Sequence, residues 1–162
     1  MDALQKFLLK PTLPLWKYCV AVVPMALFPS VAIYSLVYLL LSASGIDLSD
    51  LLPPTRSASV MDILGPVVFA PVVETLLLGL LLKGLLLLTA RPVLTAALSA
   101  LFWGALHGIV APLWFFGTVW SFFIFACAYL GWHRQSRRKA FIAAAVPHSL
   151  INLIAMTILG IT

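Results

Sequence analysis

Residues 61–88 read MDILGPVVFAPVVETLLLGLLLKGLLLL. Apart from Asp62 at the edge, Glu74 and Lys83, the stretch carries no charge. It exceeds the roughly 20 residues that cross the hydrocarbon core of a bilayer. Its apolar residues form a block, without the alternation of a barrel strand, so the stretch reads as a transmembrane helix.

The same reading extends outward to further blocks at 18–41, 93–110, 113–132 and 140–160. The expected fold is therefore all-α, a polytopic membrane helix bundle with five transmembrane helices. Residues 1–162 form one membrane domain, with an extra N-terminal helix within 1–41 and a core at 61–160. Composition agrees: of 162 residues 63% are hydrophobic and 9% charged, with mean hydropathy +1.12. A soluble domain needs far more charge to cover its surface. The first apolar run is too long for a cleavable signal peptide, whose apolar region spans about 7–15 residues.

The net charge of +5 would raise nucleic acid as a partner in a soluble protein. Here the basic residues sit before or between the apolar blocks and read as topology anchors, so the expected partners are membrane lipids and no nucleic acid. Lys6, Lys10, Lys17, Arg91 and the loop at 133–139 fall on one side of a five-span chain. The connector at 42–59 and the uncharged turn at 108–112 fall on the other. The positive-inside rule places the N-terminus in the cytoplasm and the C-terminus outside, in a cell (inner) membrane. Cys19 and Cys127 lie inside apolar blocks and read as packing or lipid-facing residues.

Few polar residues enter the spans. Glu74 is the single glutamate and sits at the middle of the second span. An ionisable group at that depth costs roughly 2.5–3.5 kcal/mol on insertion scales. Lys83 lies near the basic end and is expected to snorkel rather than pair. In a hairpin turning near Arg91, Glu74 and His107 reach similar depth. His148 and Asn152 are four residues apart, on one face of the fifth span, although counting from the basic loop sets His148 shallower than Glu74 unless the helix begins before Lys139. Pro71 and Pro147 precede these polar positions, and each frees a backbone carbonyl inside lipid. The aromatic-rich fourth span, Trp114 to Trp132, reads as lipid-facing and interfacial.

One buried histidine is usually a packing residue, and one asparagine is often glue between helices. Ionisable groups from three spans in an otherwise apolar membrane domain point to function. One Glu and two His can polarise a water: the carboxylate takes its proton and an imidazole donates to the oxyanion or the leaving amine. Two His and one carboxylate are also a zinc ligand set.

These residues resemble the motifs of the CPBP (CAAX protease and bacteriocin-processing, or Abi) intramembrane proteases. Pro71-Val72-Val73-Glu74-Thr75, Trp103-Gly104-Ala105-Leu106-His107 and His148-Ser149-Leu150-Ile151-Asn152 follow that family's three motifs in order and spacing, over the four spans of a CPBP-like core. The resemblance implies an endopeptidase of CAAX-protease type that cleaves a peptide or protein substrate with a membrane-associated segment. Glu74 would activate the water, His107 and His148 would complete the catalytic group, and Asn152 would assist at the oxyanion. No cofactor is favoured; the alternative is a divalent metal such as zinc on Glu74, His107 and His148. Three positions depart from the family pattern. Thr75 replaces a second Glu, Gly79 an Arg and Trp103 a Phe. Thr75 and Gly79 share a helix face, so the exchange removes a buried ion pair without orphaning a charge. The alternative function is a non-catalytic CPBP-like scaffold or immunity-type protein. A proton-coupled transporter is a third class, against which the lack of an inverted repeat speaks.

Overall fold

With no water to bond to, a backbone in lipid must satisfy itself, and this chain does so with helices. The computed structural model describes residues 3–52 and 60–158. The elements are α1 (Ala3–Leu9), α2 (Leu15–Ala43), α3 (Val60–Leu64), a π-helical turn (Gly65–Phe69), α4 (Ala70–Leu88), α5 (Pro92–Val110), α6 (Pro112–His133) and α7 (Arg137–Ile158). There is no strand among the described residues. Five rods are long and apolar enough to cross a membrane: α2, the continuous α3–π–α4 rod Val60–Leu88, α5, α6 and α7. The chain is an all-helical, multi-pass membrane protein, as the apolar blocks predict.

Proline punctuates the turns. Pro92 and Pro112 open α5 and α6, where a missing N–H costs nothing. Ala111 alone, in extended conformation, reverses the chain between them. Helix α7 begins at Arg137, earlier than the block at 140–160 suggests. The added residues carry His148 deeper from the basic loop and reduce its expected depth mismatch with Glu74.

The centre of the bundle is α6, which packs against α1, α2, α5 and α7. This corrects the lipid-facing reading of the fourth span. Phe122, Ile124, Phe125, Ala126, Cys127, Ala128 and Trp132 of α6 are all buried. Large aromatic side chains suit a protein core and a lipid boundary equally, so composition alone does not assign the face. Partners bring small residues to meet them: Ala96 and Ala100 of α5, and Ala140, Ala143 and Ala144 of α7 are buried. Close approach of helix backbones is how membrane helices gain packing energy.

Polar staples fix the contacts. Pro29 removes the N–H that would bond the Met25 carbonyl, and Trp120 Nε1 of α6 donates to that oxygen at 2.9 Å. Beside it Ser30 and Ser121 are hydrogen-bonded at 2.7 Å. Both residues of this second staple are buried.

Helix α1 is an element that apolar-block reading misses. Seven residues do not hold a helix alone. Here Leu8 and Leu9 are buried, the Tyr18 hydroxyl donates to the Leu8 carbonyl at 3.0 Å, and Phe7 stacks on Tyr18 at 5.3 Å. Gly131 of α6 admits the chain so closely that a Cβ there would run into the Leu8 carbonyl oxygen. Gly131→Ala is therefore expected to push α1 off α6 and to destabilise the protein by about 1–3 kcal/mol. A lower melting temperature in detergent, with new tryptic cleavage at Lys6, is the expected readout. An unchanged melt and digest would mean that α1 is not seated on α6.

Candidate active site

Glu74 projects from α4, four residues after its start at Ala70. His148 comes from the middle of α7. The two meet inside the bundle, His148 Nε2 lying 3.7 Å from Glu74 Oε2. That is an ion-pair distance and too long for a hydrogen bond. Glu74 Oε2 is buried and accepts no hydrogen bond from any of the described residues. A buried carboxylate oxygen with unused lone pairs is costly, and such groups mark chemistry more often than packing. The imidazole is fixed by α6: Phe125 stacks on it at 4.9 Å with 22° between planes, and Phe122 meets it edge-on at 5.3 Å.

His107 sits in the last turn of α5. Its Nδ1 lies 2.8 Å from the Trp103 carbonyl oxygen. A carbonyl only accepts, so Nδ1 carries the hydrogen, and in the neutral ring Nε2 is left as an acceptor. Phe122 lies against this ring too, at 5.2 Å, so one phenyl ring touches both histidines. Trp103 stacks on the same phenyl at 4.9 Å and 9°, and its buried indole N–H has no partner. Among the described residues neither a hydrogen bond nor an ion pair joins His107 to Glu74.

Asn152 has a backbone partner. Its Nδ2 donates to the Pro66 carbonyl at 2.7 Å. In the π turn the Ala70 N–H bonds the Gly65 carbonyl, five residues back. The next donor in that pattern would be residue 71, and Pro71 has no N–H to give. The Pro66 carbonyl is thus left over, and α7 answers it. The Val60–Leu88 rod, which carries the first motif, is joined to the third motif at two points, Glu74 to His148 and Pro66 to Asn152.

Thr75 and Gly79 belong to the same helix as Glu74. Thr75 is buried. A Cβ added at Gly79 would come within 2.5 Å of the Tyr129 hydroxyl, so the Tyr129 phenol of α6 fills the space beside residue 79. No unpaired charge remains there. Phe122, Phe125 and Pro66 are the site residues that sequence reasoning misses. The aromatic richness of α6 and the Pro66/Pro71 pair were the available signals, but neither carries a direction in space. Among the described residues no three His, Cys, Asp or Glu side chains gather into a group able to hold a metal ion.

Fold and site together define a class: a multi-pass helical membrane protein with a carboxylate–imidazole pair built between spans. A family model described as type II CAAX prenyl endopeptidase Rce1-like matches residues 56–154. The match covers more than half of the chain, and the protein belongs to that Rce1-like CAAX protease family. No curated protein and no solved structure matches the chain.

The proline–asparagine pairing makes a testable statement. Asn152→Leu keeps the side-chain size but leaves the Pro66 carbonyl unsatisfied, at an expected cost of roughly 1–3 kcal/mol. Pro71→Ala supplies a new backbone N–H in that turn. Unfolding measured across the double-mutant cycle should show the Asn152→Leu substitution costing less when Pro71→Ala is already in place. Strict additivity would break the link between the two motifs.

Proposed function

We propose that the protein is an intramembrane endopeptidase of CAAX type, hydrolysing a peptide bond in a membrane-associated segment of its substrate. The observation that carries this reading is the pair Glu74–His148, 3.7 Å apart and drawn from two spans, with Glu74 Oε2 free of protein donors. Membership of the Rce1-like family supports the reaction class.

Glu74 is the general base. Oε2 takes a proton from a water as the water oxygen attacks the scissile carbonyl carbon. His107 Nε2, the acceptor nitrogen, takes a hydrogen bond from the same water and aims it. His148, whose Nε2 faces the carboxylate, donates to the oxyanion that develops on the carbonyl oxygen. Collapse of the tetrahedral intermediate breaks the C–N bond, and the proton held by Glu74 goes to the leaving amine. Water is consumed, and a carboxylic acid and an amine are released. Asn152 acts as a positioning residue: by holding the Pro66 carbonyl it anchors the π turn that leads into α4, the helix that carries Glu74. Phe122 and Phe125 hold the imidazoles, and the apolar surroundings strengthen each electrostatic contact.

Glu74→Gln preserves shape and removes the base. Cleavage of a prenylated C-terminal peptide by the protein in proteoliposomes should fall at least about 10²-fold, with an unchanged melting temperature. Retained cleavage would remove Glu74 from the mechanism. In the topology we propose, the basic segments face the cytoplasm of a cell membrane and the C-terminus faces outside. Alkaline phosphatase fused after Thr162 should then be active, and an inactive but expressed fusion would reverse the orientation.

A further inference from the structure

Hydrolysis needs a water and a peptide bond within hydrogen-bond reach of Glu74 and His148. In the structure Glu74 Oε2 and His148 are both buried. One wall around the pair therefore has to open. The α6 wall is fixed: Phe122 and Phe125 lie against the His148 ring and are themselves buried in the core. So is α5, whose buried Ala96, Ala100 and Trp103 pack with α6. The remaining wall is the Val60–Leu88 rod, which carries Glu74.

The two parts of this rod differ. In α4, Pro71, Thr75, Leu78 and Leu82 are buried. In α3 and the π turn, Val60–Phe69, no side chain is buried. A segment with few buried contacts detaches at lower cost than one seated in the core. The parts meet where the Ala70 N–H reaches back five residues to Gly65 and Pro71 has no N–H to offer. Such π turns break the regular helix ladder and recur at functional sites. From α7, Asn152 donates to the Pro66 carbonyl at 2.7 Å, inside this turn. His148 lies one turn before Asn152 on the same face of α7. The bond therefore closes the seam between the rod and α7 one turn from the imidazole.

We propose that Val60–Phe69 is the entry gate of the site. It swings away from α7 about the π turn when Asn152 releases the Pro66 carbonyl, and a peptide segment reaches Glu74 and His148 through the opened seam. Closing restores the bond and shuts the peptide in with the pair. The lost hydrogen bond keeps the open form a minority. The peptide as guest rests on the catalytic reading; the opening itself does not.

The test uses the full chain in proteoliposomes and two readouts. The first is the rate at which diethyl pyrocarbonate modifies each histidine, located by mass spectrometry, with His133 of the exposed basic loop as internal reference. Asn152→Leu should raise the His148 rate at least about fivefold and leave His133 unchanged. The second is the distance between nitroxide labels at Met61→Cys, on the gate, and Gln135→Cys, at the far end of the bundle, measured by double electron–electron resonance. Cys19 and Cys127 are buried, so the labels go to the introduced cysteines. The Met61 pair should show two distances, the minor one growing with Asn152→Leu. A pair at Leu87→Cys and Gln135→Cys, on the seated half of the rod, should show one distance throughout. Faster modification of His148 without movement at Met61 would mean that another wall opens, and would overturn the proposal. Movement at Met61 with an unchanged His148 rate would mean that the opening does not lead to the pair, and would overturn it as well. A single Met61 distance in the otherwise unaltered chain ends the proposal even where Asn152→Leu fails to fold. Both opening signals in a chain that cleaves no prenylated peptide would remove the catalytic reading and leave the gate standing.

Discussion

Every backbone carbonyl that a proline frees inside lipid has to find a donor, and the architecture of this protein follows from how two of them are answered. Pro29 releases the Met25 carbonyl, and Trp120 takes it. Pro71 leaves the Pro66 carbonyl unpaired at the π turn, and Asn152 takes that one. In water such groups would be solvated at little cost; in hydrocarbon each unpaired group costs several kcal/mol. The bonds therefore specify which helices lie together. The first ties α2 to α6, and the second ties the start of α4 to α7. His148 sits one turn from Asn152 and Glu74 about two turns beyond Pro66, so the same pair of rods that this bond holds together also brings the two ionisable groups to 3.7 Å.

The second organising feature is the aromatic layer of α6. Phe122 touches both histidines and Trp103, and Phe125 stacks on His148. An imidazole between aromatic faces and helix backbones has few rotamers left, so its nitrogens are aimed before any substrate arrives. The carbonyl of Trp103 adds a tautomer preference to His107. A rigid imidazole beside a carboxylate oxygen with spare lone pairs, as in His148 and Glu74, is what the proposed hydrolysis by an activated water requires.

The region outside the family match also shapes the fold. Helices α1 and α2 precede residues 56–154. They cover one side of α6 through Tyr18, Ser30 and the Met25 carbonyl. Within the matched region, the absence of a side chain at Gly79 leaves room for the Tyr129 phenol of α6, which occupies the space beside it.

Much of this was legible in the residues themselves. Five apolar blocks sufficed for five spanning helices, because length and hydropathy are local properties and lipid admits no other structure for such sequences. The spacing within Trp103–His107 and His148–Asn152, and the solitary Glu74, marked the polar positions, because a charge in hydrocarbon is conspicuous wherever it points. Other features needed three dimensions. The burial of α6 was hidden because an aromatic residue serves a core and a lipid boundary equally. Helix α1 was hidden because its stability comes from Gly131 and Tyr18 rather than from its own seven residues. The partner of Asn152 was hidden because it is a main-chain oxygen, and a sequence lists side chains without saying which carbonyls a π turn and a proline leave unpaired. Local chemistry thus named the spans and the polar residues, and tertiary packing alone decided which of them face one another.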